Sequence, residues 1–141
     1  LENVDIVKWK NPKVAEYRKL YNKVGVKWHW IERNFQTDDE IIKIITDPEV
    51  FIFCLKVNNE IVGFAELNFQ KPPDLELKYF GLKQQWIGQG LGKYFLYWLV
   101  RKVWTMDILR FWLHTASNDY PGAMFLYQKA KFKIYKTEII N

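Results

Sequence analysis

Between Gln84 and Lys93 the chain reads QQWIGQGLGK, with glycines at 88, 90 and 92. A strand-like run, LELKYFGL (75–82), comes just before it, and an aromatic helical run, KYFLYWLVRKVW (93–104), directly after. Glycine weakens a helix, so three of them where a helix should begin need another reason. A helix start leaves unpaired N–H groups and a partial positive charge. Glycines there let an anion reach those N–H groups without interference from Cβ atoms. A diphosphate is the usual occupant of such a turn, and Lys83 and Lys93 bracket it with positive charge.

Three other readings of the glycines compete. A P-loop needs GxxxxGK[ST]; here Tyr94 follows Lys93, and Gly88 lies too near. A dinucleotide site needs GxGxxG after the first strand, with an acidic ribose partner about 20 residues on, whereas this motif follows four strand-like runs. The third reading is close helix–strand packing with no ligand at all.

The rest of the chain supplies the frame. Residues 3–9 read as a strand. Asn11-Pro12 opens a helix with Val14, Tyr17, Leu20 and Tyr21 at helical spacing and Gly25 at its stop. Thr37 and Glu40 form a capping box before IIKII, a helix that ends ahead of Pro48. Residues 50–57 and 60–69 are strands joined by a tight Asn58-Asn59 turn. A third strand covers 75–82. A helix spans about 90–105, with Leu91, Tyr94, Phe95, Trp98, Leu99 and Val103 as its buried stripe. Residues 108–115 form a strand, 121–130 a helix, and KFKIYKTEII (131–140) a last strand. The expected fold is α/β: one domain over 1–141, with a mixed central sheet, antiparallel early and closed late by a βαβ crossover, flanked by helices.

Composition narrows the class. The chain has 141 residues, enough for one core, and its 49% hydrophobic and 26% charged content suits a globular protein. No apolar run approaches the ~18 residues of a membrane span, and no signal-peptide pattern opens the chain, so a cytoplasmic protein without a membrane partner is expected. Cys54, the sole cysteine, lies in the apolar run FIFCLKV and reads as a buried, inert thiol. Neither His29 nor His114 stands at a zinc spacing from it, so no metal site is expected. The net charge of +5 fits a polyanionic partner or a phosphorylated cofactor, or only a solvated surface. A nucleic-acid role has no RNP, zinc-finger or helix-turn-helix signature behind it, and no nucleic-acid partner is expected.

Gln85-Trp86-Ile87-Gly88-Gln89-Gly90 matches the pattern Q/R-x-x-G-x-G/A, and in this the chain resembles the GNAT acetyltransferase superfamily. A second match lies downstream. Ala123-Met124-Phe125-Leu126-Tyr127-Gln128-Lys129 is similar to that family's A-x-x-L-Y-x-K segment, and Phe132 falls where its Gly-Phe pair ends. Motif spacing and element order agree as well. The resemblance extends over about 3–139 and is nearest to a bacterial subgroup. It implies acetyl-CoA as cosubstrate, held by Phe80, Gly81, Leu82, Gln85, Ile87, Gly88, Gln89, Gly90, Leu91, Gly92, Lys93 and Asn118, with a main-chain N–H near Leu82 as the oxyanion partner. Two positions depart from the family pattern: Tyr120 replaces a frequent Asn, with Asn118 two residues earlier, and Lys131 replaces a glycine. These departures leave room for a second reading, a coenzyme A-binding or sensing module without catalysis.

Moving an acetyl group from a thioester to an amine requires a neutral amine, a stabilised carbonyl oxygen and a proton for the departing thiolate. A primary amine with pKa near ~10 is almost wholly protonated at neutral pH, so a base is needed. Glu76, nine residues before Gln85 on the strand feeding the turn, is the leading base. Strand alternation puts Asp74, Glu76, Lys78 and Phe80 on one face and Leu75, Leu77 and Tyr79 on the other. Glu66 on the preceding strand is expected near Glu76 on the same face, where two carboxylates attract a cation and shift one another's titration. The competing reading is two solvent-facing glutamates. Tyr127 on its own is a core aromatic; the resemblance makes it the general acid. His114, Trp28 and Trp30 are candidates to contact the acceptor, and each is also readable as packing. The acceptor is a small-molecule or peptide amine of unspecified identity, and a homodimer remains open.

Overall fold

The computed structural model describes residues 3–113, apart from the side chain of Lys27. Five strands form one sheet in the order β1-β2-β3-β4-β5: β1 Val4–Lys8, β2 Val50–Val57, β3 Glu60–Lys71, β4 Asp74–Leu82 and β5 Arg110–Leu113. The first four pair antiparallel. Helix α3, Leu91–Val103, connects β4 to β5, which lie parallel, with Leu75 opposite Phe111 and Leu77 opposite Leu113. This is the expected crossover. The expected helix over 121–130 and strand over 131–140 lie outside the described residues.

Local sequence explains each element. Asn58 and Asn59 take φ of 51° and 68°, the left-handed pair that a two-residue hairpin with the natural strand twist requires. Helix α2, Asp38–Ile45, starts with the full capping box, Thr37 Oγ1 accepting from the Glu40 amide at 3.2 Å and Glu40 accepting from the Thr37 amide at 2.9 Å. Helix α1, Val14–Gly25, begins one residue after Lys13, so Pro12 stands just outside its first turn.

The sheet separates two cores. Helix α3 covers one face with Leu91, Phe95, Leu96, Leu99 and Val103 against Leu55, Leu67, Leu75, Leu77, Phe80 and Leu82. Burying each such Leu or Phe contributes about 2 kcal/mol. Leu96 is inside and Tyr94 is 47% exposed, which narrows the stripe expected from spacing alone. Helices α1 and α2 cover the other face, where Tyr17, Leu20, Tyr21, Val24, Ile41 and Ile45 meet Ile52, Cys54, Phe64 and Tyr79.

Strand β4 departs from simple alternation. Glu66 pairs with Tyr79 but Leu67 pairs with Leu77, so Lys78 is an extra residue on the β4 side. Leu75 and Leu77 face α3, as do Phe80 and Leu82, while Tyr79 faces α1. The expectation that Phe80 shares a face with Glu76 and Tyr79 with Leu77 is therefore corrected: the bulge resets the phase of the strand between them.

Candidate active site

The glycine turn lies at the end of β4. A short 3-10 turn, Gln84–Trp86, leads into it, and α3 begins directly after Gly90. Gly88 and Gly90 have φ of 91° and 83°, and a Cβ placed on either would meet no atom of the described residues within 4 Å. Glycine is thus favoured here by backbone conformation, and none of the described residues fills the space beside it. Among the described residues, close packing is therefore not what these two glycines serve. Gln85, Gly88, Gln89, Gly90 and Lys93 are exposed, Ile87 and Gly92 half-buried, and Leu91 buried in the α3 core.

Helix α3 spans 13 residues and has no side-chain cap at its N-terminus. Its first turn of N–H groups lies beside the exposed glycines, and no acidic residue occupies that turn to neutralise the dipole. Lys93 stands in the same turn, with its ammonium 5.7 Å from the Tyr97 ring centre. Partial burial, then the charge of Lys23, holds the Lys83 ammonium below its ordinary range. Backbone amides, a helix dipole and an exposed lysine make a donor set suited to a diphosphate.

Phe80, Gly81 and Leu82 contribute in different ways. The Phe80 ring packs on Phe95 at 5.3 Å and the Leu82 side chain is buried, so only their main chains are available to a ligand. A Cβ on Gly81 would come within 2.6 Å of Val24 and 3.3 Å of Trp30, so this glycine serves close packing of the α1 end on β4. The Lys83 amide donates to the Val62 carbonyl at 2.7 Å across the β3 side. Alternation along the strand then aims the Leu82 amide at the opposite edge, the one β5 joins further back.

Glu66 and Glu76 share the α1 face, as their registers with Tyr79 and Asn68 require. Their situations differ. Glu66 is 1% exposed. One of its oxygens accepts from Arg33 Nη2 at 2.7 Å and the other from Tyr17 Oη. With both oxygens accepting hydrogen bonds and the side chain buried, Glu66 is not solvent-facing. That part of the expectation is corrected. Glu76 is half-buried opposite Trp112 on β5.

Sequence reasoning does not single out Arg33. It lies in the 3-10 turn Glu32–Phe35 between α1 and α2 and is 5% exposed. Its Nε donates to Tyr17 Oη at 3.1 Å and its Nη1 to Gln36 Oε1 at 3.0 Å, and its guanidinium sits 5.1 Å from the Tyr79 ring centre. Burial alone would favour losing its proton, but the Glu66 charge and then Tyr17 outweigh that and raise its pKa. Burial, reinforced by Glu66, pushes the Tyr17 phenol above its usual range. The Tyr79 phenol is also raised by burial, against the nearby guanidinium and with the Tyr21 hydroxyl raising it further, while its buried Oη stands in well-formed hydrogen-bond geometry with no group among the described residues. No signal in one sequence distinguishes such an arginine from its exposed neighbours.

Trp30 packs against Tyr21, Phe64 and Tyr79 at ring separations of 5.9, 6.3 and 5.2 Å. Trp28 is half-buried in the 3-10 turn Val26–Trp28. Both stand on the segment joining α1 to α2. His114, Asn118 and Tyr127 lie outside the described residues, as do Tyr120 and Lys131. Among the described residues no group of three or more His, Cys, Asp or Glu is placed to hold a metal, and no helix is long and apolar enough to cross a membrane.

A profile of the acetyltransferase (GNAT) family matches residues 14–132. The chain belongs to the GNAT acetyltransferase family. It is thereby an acetyl-CoA-dependent N-acetyltransferase by class. Solved GNAT-type folds match over nearly the whole chain. A GNAT family acetyltransferase from Elizabethkingia anophelis with acetyl-CoA bound has a TM-score of 0.73 at 20% identity, covering 96% of this chain and 80% of that one. An aminoglycoside acetyltransferase from an uncultured soil metagenomic sample has a TM-score of 0.74 at 12% identity, covering 98% and 93%. A ribosomal-protein-alanine N-acetyltransferase from Brucella melitensis has a TM-score of 0.70 at 17% identity, covering 99% of each. At these identities the likeness is one of fold. No curated protein matches significantly.

Proposed function

We propose that this GNAT domain transfers the acetyl group of acetyl-CoA to a primary amine by direct attack, with Glu76 as base and Tyr127 as acid. The observation that carries the reading is the open glycine turn. Gly88 and Gly90, with positive φ and free space, present the uncapped start of α3 at the end of the very strand that holds Glu76. Main-chain amides at 88–93, with Lys93, hold the diphosphate. The Leu82 amide, aimed at the β5 edge, donates to the thioester oxygen and stabilises the charge that develops there.

In this scheme Glu76 takes a proton from the alkylammonium, directly or through one water. The neutral nitrogen attacks the thioester carbonyl carbon, a C–N bond forms, the nitrogen gives its surplus proton to solvent, and the C–S bond breaks as the tetrahedral species collapses. Tyr127 gives its phenolic proton to the departing thiolate and regains one from solvent. The balance is alkylammonium plus acetyl-CoA giving N-acetylamine, coenzyme A thiol and one proton. Glu66 takes no part in the proton transfer.

The acceptor is a primary amine on a small molecule or a peptide. The similar folds act, by their names, on substrates as different as an aminoglycoside and a ribosomal protein's alanine, so the fold does not choose among them. The test is calorimetry with acetyl-CoA followed by thiol release across polyamine, aminoglycoside, amino-acid and peptide amines. Binding with amine-dependent thiol release is expected. Absence of heat on adding acetyl-CoA would overturn the reading, and binding without thiol release on every acceptor would leave a non-catalytic coenzyme A-binding module.

A further inference from the structure

Arg33 and Glu66 are the only buried charged side chains among the described residues. An ion pair taken out of water is weak as a source of stability, because desolvation offsets the attraction. Its geometry, however, fixes direction. Arg33 belongs to the segment between α1 and α2 and reaches through the α1 face to β3, meeting Glu66 at 2.7 Å and Tyr17 at 3.1 Å. Arg18 on α1 grips the same segment from the solvent side. It donates to the main-chain oxygens of Arg33 at 3.1 Å and Gln36 at 2.6 Å, and pairs with Asp38 at 2.9 Å. The segment also carries Trp30, lodged against Tyr79, and Glu32, which is 3.6 Å from Lys78, the extra residue of the β4 bulge. Two residues before that bulge is Glu76.

We propose that the buried Arg33–Glu66 pair is a positioning latch that fixes segment 26–36 against β4, so that the amine acceptor is held in register with Glu76. The acceptor half of this inference rests on the reading given under Proposed function; the latch itself does not. Arg33 and Glu66 touch no reacting atom. They act through the segment that borders β4 at its bulge.

The experiment compares the full chain with an Arg33→Met/Glu66→Leu variant, which replaces the pair by apolar groups of similar volume, and with Glu66→Gln, which keeps the shape and removes the charge. Hydrogen exchange is followed over 26–36 and over 84–95, acetyl-CoA affinity by calorimetry, and thiol release with spermidine and with tyramine. The double variant should exchange about tenfold or more faster over 26–36, with 84–95 and the acetyl-CoA Kd changed less than about twofold. KM for the amine should rise about tenfold while kcat stays within about threefold. Glu66→Gln should move the same readouts in the same direction by less, and it carries the comparison if the double variant fails to fold. Unchanged exchange over 26–36, or an equal rise across the whole chain, overturns the latch. A wild-type protein that releases no thiol with either amine counts against acetyl transfer to these amines, and the exchange comparison then decides the latch alone.

Discussion

Arg33 Nη2 meets Glu66 Oε2 at 2.7 Å beneath α1, linking an irregular segment to the third strand. Breaking such a pair from one side strands the other charge. Glu66→Leu alone should therefore lower the unfolding free energy by roughly 3–5 kcal/mol, while Arg33→Met/Glu66→Leu should recover most of that loss. Urea titrations of the two variants and the parent check this. A double variant no better than the single one would mean that Tyr17 and Gln36, left without the guanidinium, dominate the site.

Tyr79 Oη is buried beside that pair with no hydrogen-bond partner among the described residues. A buried polar atom left unpaired costs about 1–3 kcal/mol. Tyr79→Phe keeps the ring between Trp30 and Arg33 and deletes only the oxygen. The variant should unfold at the same or a higher urea concentration than the parent. A loss above about 1 kcal/mol would show that the hydroxyl has a partner.

Gly90 has a φ of 83°, and no atom of the described residues lies within 4 Å of where a Cβ would stand. Gly90→Ala should cost only backbone strain, about 1–2 kcal/mol. The added methyl group stands where the diphosphate is proposed to sit, so acetyl-CoA affinity should fall about tenfold or more, beyond what stability explains. Thermal unfolding and calorimetry on the same sample separate the two effects.

The proton-transfer roles separate by pH. With Glu76→Gln, turnover should drop about 10²-fold at neutral pH and recover toward pH 10, where the alkylamine deprotonates without help. Tyr127→Phe should lower kcat about 10²-fold at every pH and leave the acetyl-CoA Kd within about twofold. A Glu76→Gln enzyme with full rate across the range refutes the base assignment.

Cys54 is 1% exposed, and burial, against a smaller pull from Lys56, pushes its thiol up from 9.0 to about 12. Native protein should resist alkylation at neutral pH and react once urea exposes the thiol. The folded state holds this proton longer than the unfolded one, so the stability it contributes is complete below pH about 9 and declines as pH rises toward about 12. Cys54→Ala should flatten that decline by about 1.4 kcal/mol per pH unit within the window. Urea midpoints of both proteins between pH 8.5 and pH 11 measure it.

Much of the frame is legible in the sequence because it rests on local rules. A continuous apolar run marks β2 at 50–57, the paired asparagines mark the hairpin, and Thr37 with Glu40 marks the start of α2. The glycine turn is legible for the same reason, since positive φ leaves a compositional mark. What escapes is tertiary. Nothing local announces that Lys78 is an extra residue, so simple alternation assigns Tyr79 and Phe80 to the wrong faces. Glu66 reads as one of two open carboxylates because its partner, Arg33, is 33 residues away in a segment without periodicity. Trp30 reads as an acceptor wall or as packing, and its engagement with three other rings depends on Gly25 and Gly81 making room.

The bulge at Lys78 has a consequence for how this chain can change. Strand β4 is two half-strands of opposite parity spliced at one residue, with leucines before the splice and Phe80 and Leu82 after it sharing a side. Deleting that residue would rotate everything downstream by half a turn, sending the Tyr79 phenol among the aliphatics under α3 and the entry to the glycine turn out of line with its own helix. Insertions and deletions are therefore admitted more readily in the Pro72–Pro73 turn, outside the last rung Lys71–Asp74, than five residues later.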